Sequence, residues 1–123
     1  KFFKCSYENL ESGWILVFDI TTIYEFESLV QNFTLSKNMW DDTLCLSVDK
    51  KDNKYIRNIR MFEKAEDGRF DLTTEVVKEN SFPISKIEKE LKAQGFKLIE
   101  KIDFHYWEVT AASERVYFIC KKK

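Results

Sequence analysis

The spacing of hydrophobic residues changes period several times along this chain, and each change marks an element. The stretch GWILVFDITT, Gly13 to Thr22, opens on a glycine, runs apolar from Trp14 to Phe18 and ends on an acid and two threonines. Side chains of a strand point alternately to two sides, so such a run predicts a strand over Trp14–Ile20 with both faces covered, as at the centre of a parallel sheet. Ahead of it, Lys1 to Leu10 reads as the end of a helix, and Glu11-Ser12-Gly13 as the turn into the strand. Beyond it, Asp19 to Thr22 offers Asp or Thr caps for a short helix over Ile23–Val30, with Tyr24, Phe26 and Leu29 on its inner side.

From Asn38 onward the period falls to two. Trp40, Leu44, Leu46 and Val48 share one side of a strand over Asn38–Val48, and Tyr55–Glu63 alternates again. Phe70, Leu72, Thr74 and Val76 share one side of a third strand over Phe70–Val77. The polar break Asp49–Lys54 and the hairpin signal Glu66-Asp67-Gly68 join these strands. A three-stranded antiparallel meander with one wet face is therefore expected, inserted over roughly residues 38–79. Asn80-Ser81-Phe82-Pro83 ends it.

The helical period then returns in ISKIEKELKAQGF, with Ile84, Ile87 and Leu91 on one face and Gly95 where a C-terminal cap belongs. Lys86 with Glu90, and Glu88 with Lys92, are spaced to pair across one turn. Lys97–Trp107 and Arg115–Lys121 read as two more strands, antiparallel neighbours across the polar link Thr110–Glu114. The fold class is α/β, or α+β for the chain as it stands, in one domain of 123 residues.

Composition removes function classes rather than naming one. Twenty Lys and Arg against twenty-one Asp and Glu leave no basic excess for a nucleic-acid backbone. The closing Lys121-Lys122-Lys123 reads as a solvated tail. No run approaches the ~20 apolar residues that cross a bilayer, and the first residues turn polar too soon for a signal peptide. Neither nucleic acid nor membrane is an expected partner, and the expected location is cytoplasmic. Cys5, Cys45 and Cys120 lie far apart, without the spacing of a disulfide framework or a zinc site. Cys45 and Cys120 fall in apolar runs and read as buried reduced thiols. No nucleophile elbow, phosphate-binding loop or H-E-x-x-H motif occurs. The chain begins with Lys in what reads as a helix tail, so a fragment of a longer protein is expected.

Taken in order, GWILVFDITTIYEFE, the meander insert, a helix closing on LKAQGFKLIEKIDF, and the final SERVYFICKK resemble class I S-adenosylmethionine-dependent methyltransferases of the small-molecule type with a β-meander lid. The resemblance spans Leu10 to Lys122. It implies that Trp14–Ile20 is the fifth strand of a Rossmann-like seven-stranded sheet, that Lys97–Trp107 and Arg115–Lys121 are the sixth and seventh, and that the meander is a lid over the substrate. It also implies that the chain is the C-terminal portion only, inactive alone, because the family's Gly-rich cofactor loop follows its first strand. Gly13, Gly68 and Gly95 are the glycines here, and no two are close enough to form that loop. S-adenosylmethionine is thus expected in the complete enzyme, with no cofactor-binding residue and no metal in this chain. Lids of this type often carry an acid, a histidine and an arginine ahead of an aromatic. Glu75 and Phe82 fit that pattern; Val77 and Asn80 stand where His and Arg would be.

Methyl transfer from a sulfonium is an in-line displacement, in which protein positions a small-molecule acceptor and excludes water. An oxygen acceptor often needs a base. His105, the sole histidine, is the candidate; it shares a side of its strand with Asp103 and Trp107, opposite Phe104 and Tyr106, and reads equally as a sheet-face histidine. Asp19 and Thr21 stand at a strand end where ligands bind in such sheets, or cap the next helix. Tyr24 closes a pocket or packs inward. Trp40 and Tyr55 line an acceptor site in the lid or pack within its sheet. Arg115 grips an acid or pairs with Glu114 or Asp103. A rival reading makes the chain a stand-alone α+β module that binds a ligand or protein on its meander. The rival needs Trp14–Ile20 central and covered. The fragment reading leaves that strand an open edge, through which copies dimerise or exchange strands.

Overall fold

The computed structural model describes residues 1–32, 34–105 and 107–123. The chain runs α1 (Phe2–Asn9), β1 (Ile15–Thr21), α2 (Ile23–Gln31), β2 (Thr34–Met39), β3 (Asp42–Lys51), β4 (Lys54–Lys64), β5 (Phe70–Glu79), α3 (Ile84–Ala93), β6 (Phe96–Asp103) and β7 (Arg115–Lys122). It divides into two compact units: Lys1–Glu25 with Phe82–Lys123, and Phe26–Ser81.

The first unit is a three-stranded antiparallel sheet in the order β1-β7-β6. Alternation sends Leu16, Phe18 and Ile20 of β1 to the same side as their partners Cys120, Phe118 and Val116 on β7. That side packs with Ile87 and Leu91 of α3 and with Phe3 and Tyr7 of α1. Phe18 and Phe118 lie in parallel, ring centroids 5.0 Å apart, and Phe118 is fully buried. Burying a side chain of this size stabilises the fold by about 1.5–3 kcal/mol.

The other side of β1 departs from expectation. Ile15, Val17 and Asp19 point away from both helices, and Val17 is 59% exposed. β1 pairs only with β7, so its outer edge has no strand beside it among the described residues. The apolar run was read as covered on both faces; the chain supplies one helical layer, and one face is bare. This is the open edge that the fragment reading anticipates, and the rival's enclosed central strand is not found.

Two other local expectations change. Lys122 is not a solvated tail: its ammonium donates to the carbonyls of Tyr7 (2.5 Å) and Leu10 (2.7 Å), satisfying helix-end acceptors. Glu88 pairs at 2.5 Å with Lys101 of β6 rather than along its own helix, while Lys86 sits over the Phe82 ring.

The second unit is a four-stranded antiparallel meander, β2-β3-β4-β5, where three strands were expected. The predicted strand Asn38–Val48 breaks at Trp40-Asp41, because Met39 pairs with Asp42 across a two-residue turn; Trp40 takes φ 55° there. Lys51 likewise pairs with Lys54 around Asp52 (φ 50°) and Asn53 (φ 61°), a turn whose twist matches that of the flanking strands. The Glu66-Asp67-Gly68 signal is the β4–β5 hairpin, as read, with Gly68 at φ 83°. Phe26 of α2 stacks on Tyr55 at 4.4 Å and packs with Val48. The unit extends beyond the expected insert because it takes in most of α2 and all of β2.

α3 ends as the sequence predicts. Gly95 follows the helix with φ 95°, and a β-carbon there would lie 2.9 Å from the Tyr7 hydroxyl oxygen. Both the left-handed backbone and the close ring exclude a side chain. Gly95→Ala is expected to lower the unfolding free energy by more than about 1 kcal/mol, read as a lowered urea midpoint with unchanged slope; an unchanged midpoint would refute this account of the turn.

Candidate functional site

β1 and β6 both run antiparallel to β7, so they are parallel to each other and end at one edge of the sheet. Register places Thr21 opposite Arg115 and Asp103 opposite Val116 at that edge. It is the edge at which ligands bind in open α/β sheets. Thr22 and Tyr24 from the β1–α2 junction, Phe82, Pro83 and Ile84 at the start of α3, and Thr110, Ala111 and Ser113 from the loop before β7 line a cleft of about 170 Å³ there, with Ile23. All of these belong to the first unit.

Local chemistry fixes the cleft walls. The buried Thr22 hydroxyl lies 2.6 Å from the Ser113 carbonyl, to which it donates, and accepts from the Glu25 amide at 3.2 Å. Thr22 is therefore the N-cap of α2, one of the Asp or Thr caps expected over Asp19 to Thr22. Its own amide donates to the Glu114 carbonyl at 3.0 Å. The Thr110 amide donates to the buried Ser113 hydroxyl at 2.9 Å. With those hydroxyls engaged, Tyr24, Phe82, Pro83 and Ile84 give the cleft an aromatic and aliphatic surface suited to one small apolar group.

Among the sequence-derived candidates, Tyr24 borders the cleft and is half exposed. Thr21 stands one residue from Thr22, level with Arg115. Asp19 is exposed on the bare face, and its carboxylate lies 3.4 Å from the Arg115 guanidinium. Arg115 thus pairs with Asp19 rather than with Glu114 or Asp103, an exposed contact worth at most about 1 kcal/mol. His105 lies just past the end of β6, because the strand stops at Asp103 and not at Trp107. The buried Asp103 carboxylate accepts from the His105 amide at 2.7 Å and turns the chain, and Trp107 takes φ 65°. The shared strand side of Asp103, His105 and Trp107 ends with the strand, and Tyr106 lies outside the described residues.

The two lid candidates do not converge. Trp40 is fully exposed at one hairpin tip, while Tyr55 pairs with Lys50 beside the other. The eight residue-to-residue steps from Asp42 to Lys50 along β3 place those ends roughly 27 Å apart. Tyr55 is buried on Phe26, and its hydroxyl donates to the Glu27 carboxylate at 2.7 Å. Lys50 also reaches that carboxylate, at 2.5 Å. These donors hold the Glu27 carboxyl below its ordinary 4.5, while burial, then the bond to Glu27, pushes the Tyr55 phenol up.

Cys120 is buried as read, and burial pushes its thiol up to about 11; Cys45 is half-buried. Among the described residues no cluster of His, Cys, Asp and Glu could hold a metal ion, and no helix is long and apolar enough to cross a membrane. The sequence reading missed Thr22, Phe82 to Ile84 and the Thr110–Ser113 wall as cleft residues. Thr22 carried a legible sign, a threonine directly before an amphipathic run; the remaining walls meet only through the chain fold.

No family model matches the chain. A curated protein of Geobacillus sp. (strain WCH70), named "Putative methyltransferase GWCH70_2453", is 24% identical over 127 aligned positions, covering 98% of this chain and 50% of that protein. An S-adenosylmethionine-dependent methyltransferase of Clostridium acetobutylicum ATCC 824 superposes with a TM-score of 0.84 at 21% identity, over 98% of this chain and 49% of that one. The CcbJ methyltransferase of Streptomyces caelestis gives 0.72 at 12% identity, over 98% of this chain and 48% of that one. CalS10 of Micromonospora echinaspora, described as an amino pentose methyltransferase, gives 0.61 at 10%, over 98% of this chain and 49% of that one. The chain thus has the mixed α/β fold of S-adenosylmethionine-dependent methyltransferases over about half of their length, and the resemblance read from its sequence is borne out.

Two variants test the local chemistry. Thr22→Ala removes the α2 cap and a buried hydroxyl bond and is expected to cost about 1–2 kcal/mol in denaturant unfolding. A loss within error would discount the capping role. The Glu27 contribution to stability is complete above pH 4.5 and is lost as pH falls through its lower folded value. Between pH 4.5 and pH 3, wild type should therefore lose more stability than Glu27→Gln; parallel curves would show that the carboxylate is not preferentially held ionised.

Proposed function

We propose that this chain is the C-terminal portion of an S-adenosylmethionine-dependent methyltransferase acting on a small-molecule acceptor. One observation carries the reading. The three-stranded antiparallel sheet has an edge strand, β1, that is apolar yet bare on one face, and the chain that holds it aligns over nearly its whole length with about half of several methyltransferase structures. β1, β6 and β7 then correspond to the fifth, sixth and seventh strands of the complete sheet, and the four-stranded meander to the lid.

S-adenosylmethionine supplies an electrophilic methyl group when it is bound. The residues here do not fit its nucleoside loop: Gly13 precedes β1, Gly68 joins β4 to β5, and Gly95 joins α3 to β6. None joins a strand to the start of a helix, the placement such a loop needs. This chain's share is the acceptor. Tyr24 and Phe82 border an apolar cleft that would seat its body and exclude water. Asp19, Thr21 and Arg115 offer polar contacts at the same sheet edge. His105, beyond β6, is the candidate base for an oxygen acceptor. Trp40 and Tyr55, far apart, serve the lid separately: Tyr55 fixes α2 to its sheet, and Trp40 presents an exposed ring. The open β1 edge is where the remaining strands would join, and in the isolated chain it is free for dimerisation or strand exchange.

Titration calorimetry of the 123-residue chain with S-adenosylmethionine should give no heat of binding. A longer natural protein that contains the chain should bind it and transfer labelled methyl to small amines or phenols. Micromolar binding by the chain alone would contradict the fragment reading; a longer protein that neither binds nor transfers would contradict the methyltransferase reading. In that longer protein, His105→Gln should lower kcat about a hundredfold or more for an oxygen acceptor while cofactor affinity is unchanged; an unchanged kcat would remove His105 from the mechanism.

A further inference from the structure

Two helices begin at the same cleft. Thr22, Ile23 and Tyr24 open α2, Pro83 and Ile84 open α3, and all five line it. The first amides of a helix have no acceptor within that helix. In α2 the Glu25 amide goes to the Thr22 hydroxyl, and those of Ile23 and Tyr24 have no protein acceptor among the described residues. In α3 the Lys86 and Ile87 amides reach the Pro83 carbonyl, which leaves those of Ile84 and Ser85. No side chain caps α3, and no acid stands in its first turn. Glu25, the acid in the first turn of α2, does not line the cleft. An independent group points the same way. Ser113 is 2% exposed and lines the cleft. Its hydroxyl oxygen accepts from the Thr110 amide at 2.9 Å, but its proton has no acceptor among the described residues. Buried donors of this kind ordinarily have a partner.

We infer that the cleft binds a small organic carboxylate, with the charge held by the amides of both helix starts and the Ser113 hydroxyl, and the apolar body against Tyr24 and Phe82. Charge sets the class. A helix N-terminus attracts anions and carries roughly half a positive charge, so two of them match one carboxylate. No Lys, Arg or His lines the cleft among the described residues, and a phosphate dianion there would lack half of its counter-charge. The neighbouring cations are engaged elsewhere: Arg115 pairs with Asp19, and Lys86 lies over the Phe82 ring. Size sets the body. The cleft volume of about 170 Å³ compares with the roughly 150 Å³ that benzene fills in a protein cavity, room for one ring and not for a nucleoside. That this carboxylate is the methyl acceptor rests on the reading above. Its binding does not, because every wall belongs to the first unit.

Amide NMR spectra of the full 123-residue chain, titrated at low salt with benzoate, benzyl alcohol, benzylamine and inorganic phosphate, supply the test. Benzoate should shift the amides of Ile23, Tyr24, Ile84 and Ser85 saturably, and should bind at least about tenfold more tightly than the other three. Ser85→Asp, at an exposed position, brings a carboxylate of the chain's own to the α3 amides. It should hold or raise the urea midpoint, because an acid suits a helix start, and weaken benzoate binding about tenfold. Ser113→Ala should weaken benzoate binding severalfold. The proposal would be overturned by the absence of a saturable shift at those amides, by equal or tighter binding of benzyl alcohol, benzylamine or phosphate, or by either variant binding benzoate as wild type does. Methyl transfer is not measured. A longer protein that transfers no methyl, while this chain binds benzoate, would therefore remove the methyltransferase reading and leave the carboxylate site standing.

Discussion

The antiparallel pairing of β1 with β7 is the constraint on which the first unit depends. Seven residues of β1 are held on one side only, and the Phe18–Phe118 stack locks that pairing to the core. The helices follow from it. α1 and α3 lie where β1 and β7 send their large apolar side chains, and Lys122 ties the end of α1 back to β7. Because β1 and β6 are parallel across β7, the ends of both strands and the start of β7 meet at one sheet edge. That meeting makes the cleft.

The same strand carries the tension in the molecule. Its sequence is apolar toward both faces, but helices cover only one. Natural proteins seldom leave a long apolar strand both bare and unpaired, so the residues of β1 are consistent with an environment larger than this chain. The methyltransferase structures on which the chain superposes are each about twice its length. The meander is different in kind. Phe26, Val48 and Tyr55 give it a small core of its own, and the Glu27–Lys50–Tyr55 contacts fasten α2 to its sheet.

Much of this was legible in the sequence, and the misses have physical causes. α3 and its Gly95 cap are encoded locally, by a period of 3.6 and a residue free of a β-carbon, and were read correctly. The β6–β7 pairing and the Gly68 hairpin followed from short polar links. The extra strand β2 was hidden because Trp40 kept the alternation going through a turn that only its positive φ reveals. β6 was read too long because Asp103 ends it by turning its carboxylate onto the following backbone, which periodicity does not register. The cleft was least legible. Thr22, Phe82 and Ser113 are far apart in sequence, and no local pattern announces that they meet.

Hydrogen exchange along β1 tests the central claim most directly. Amides of β1 that point away from β7 should exchange quickly in the 123-residue chain, diluted to suppress association, and should become protected in a longer natural protein that contains it. Strong protection of those amides in the dilute 123-residue chain would contradict the account, since an edge already satisfied has no need of further strands.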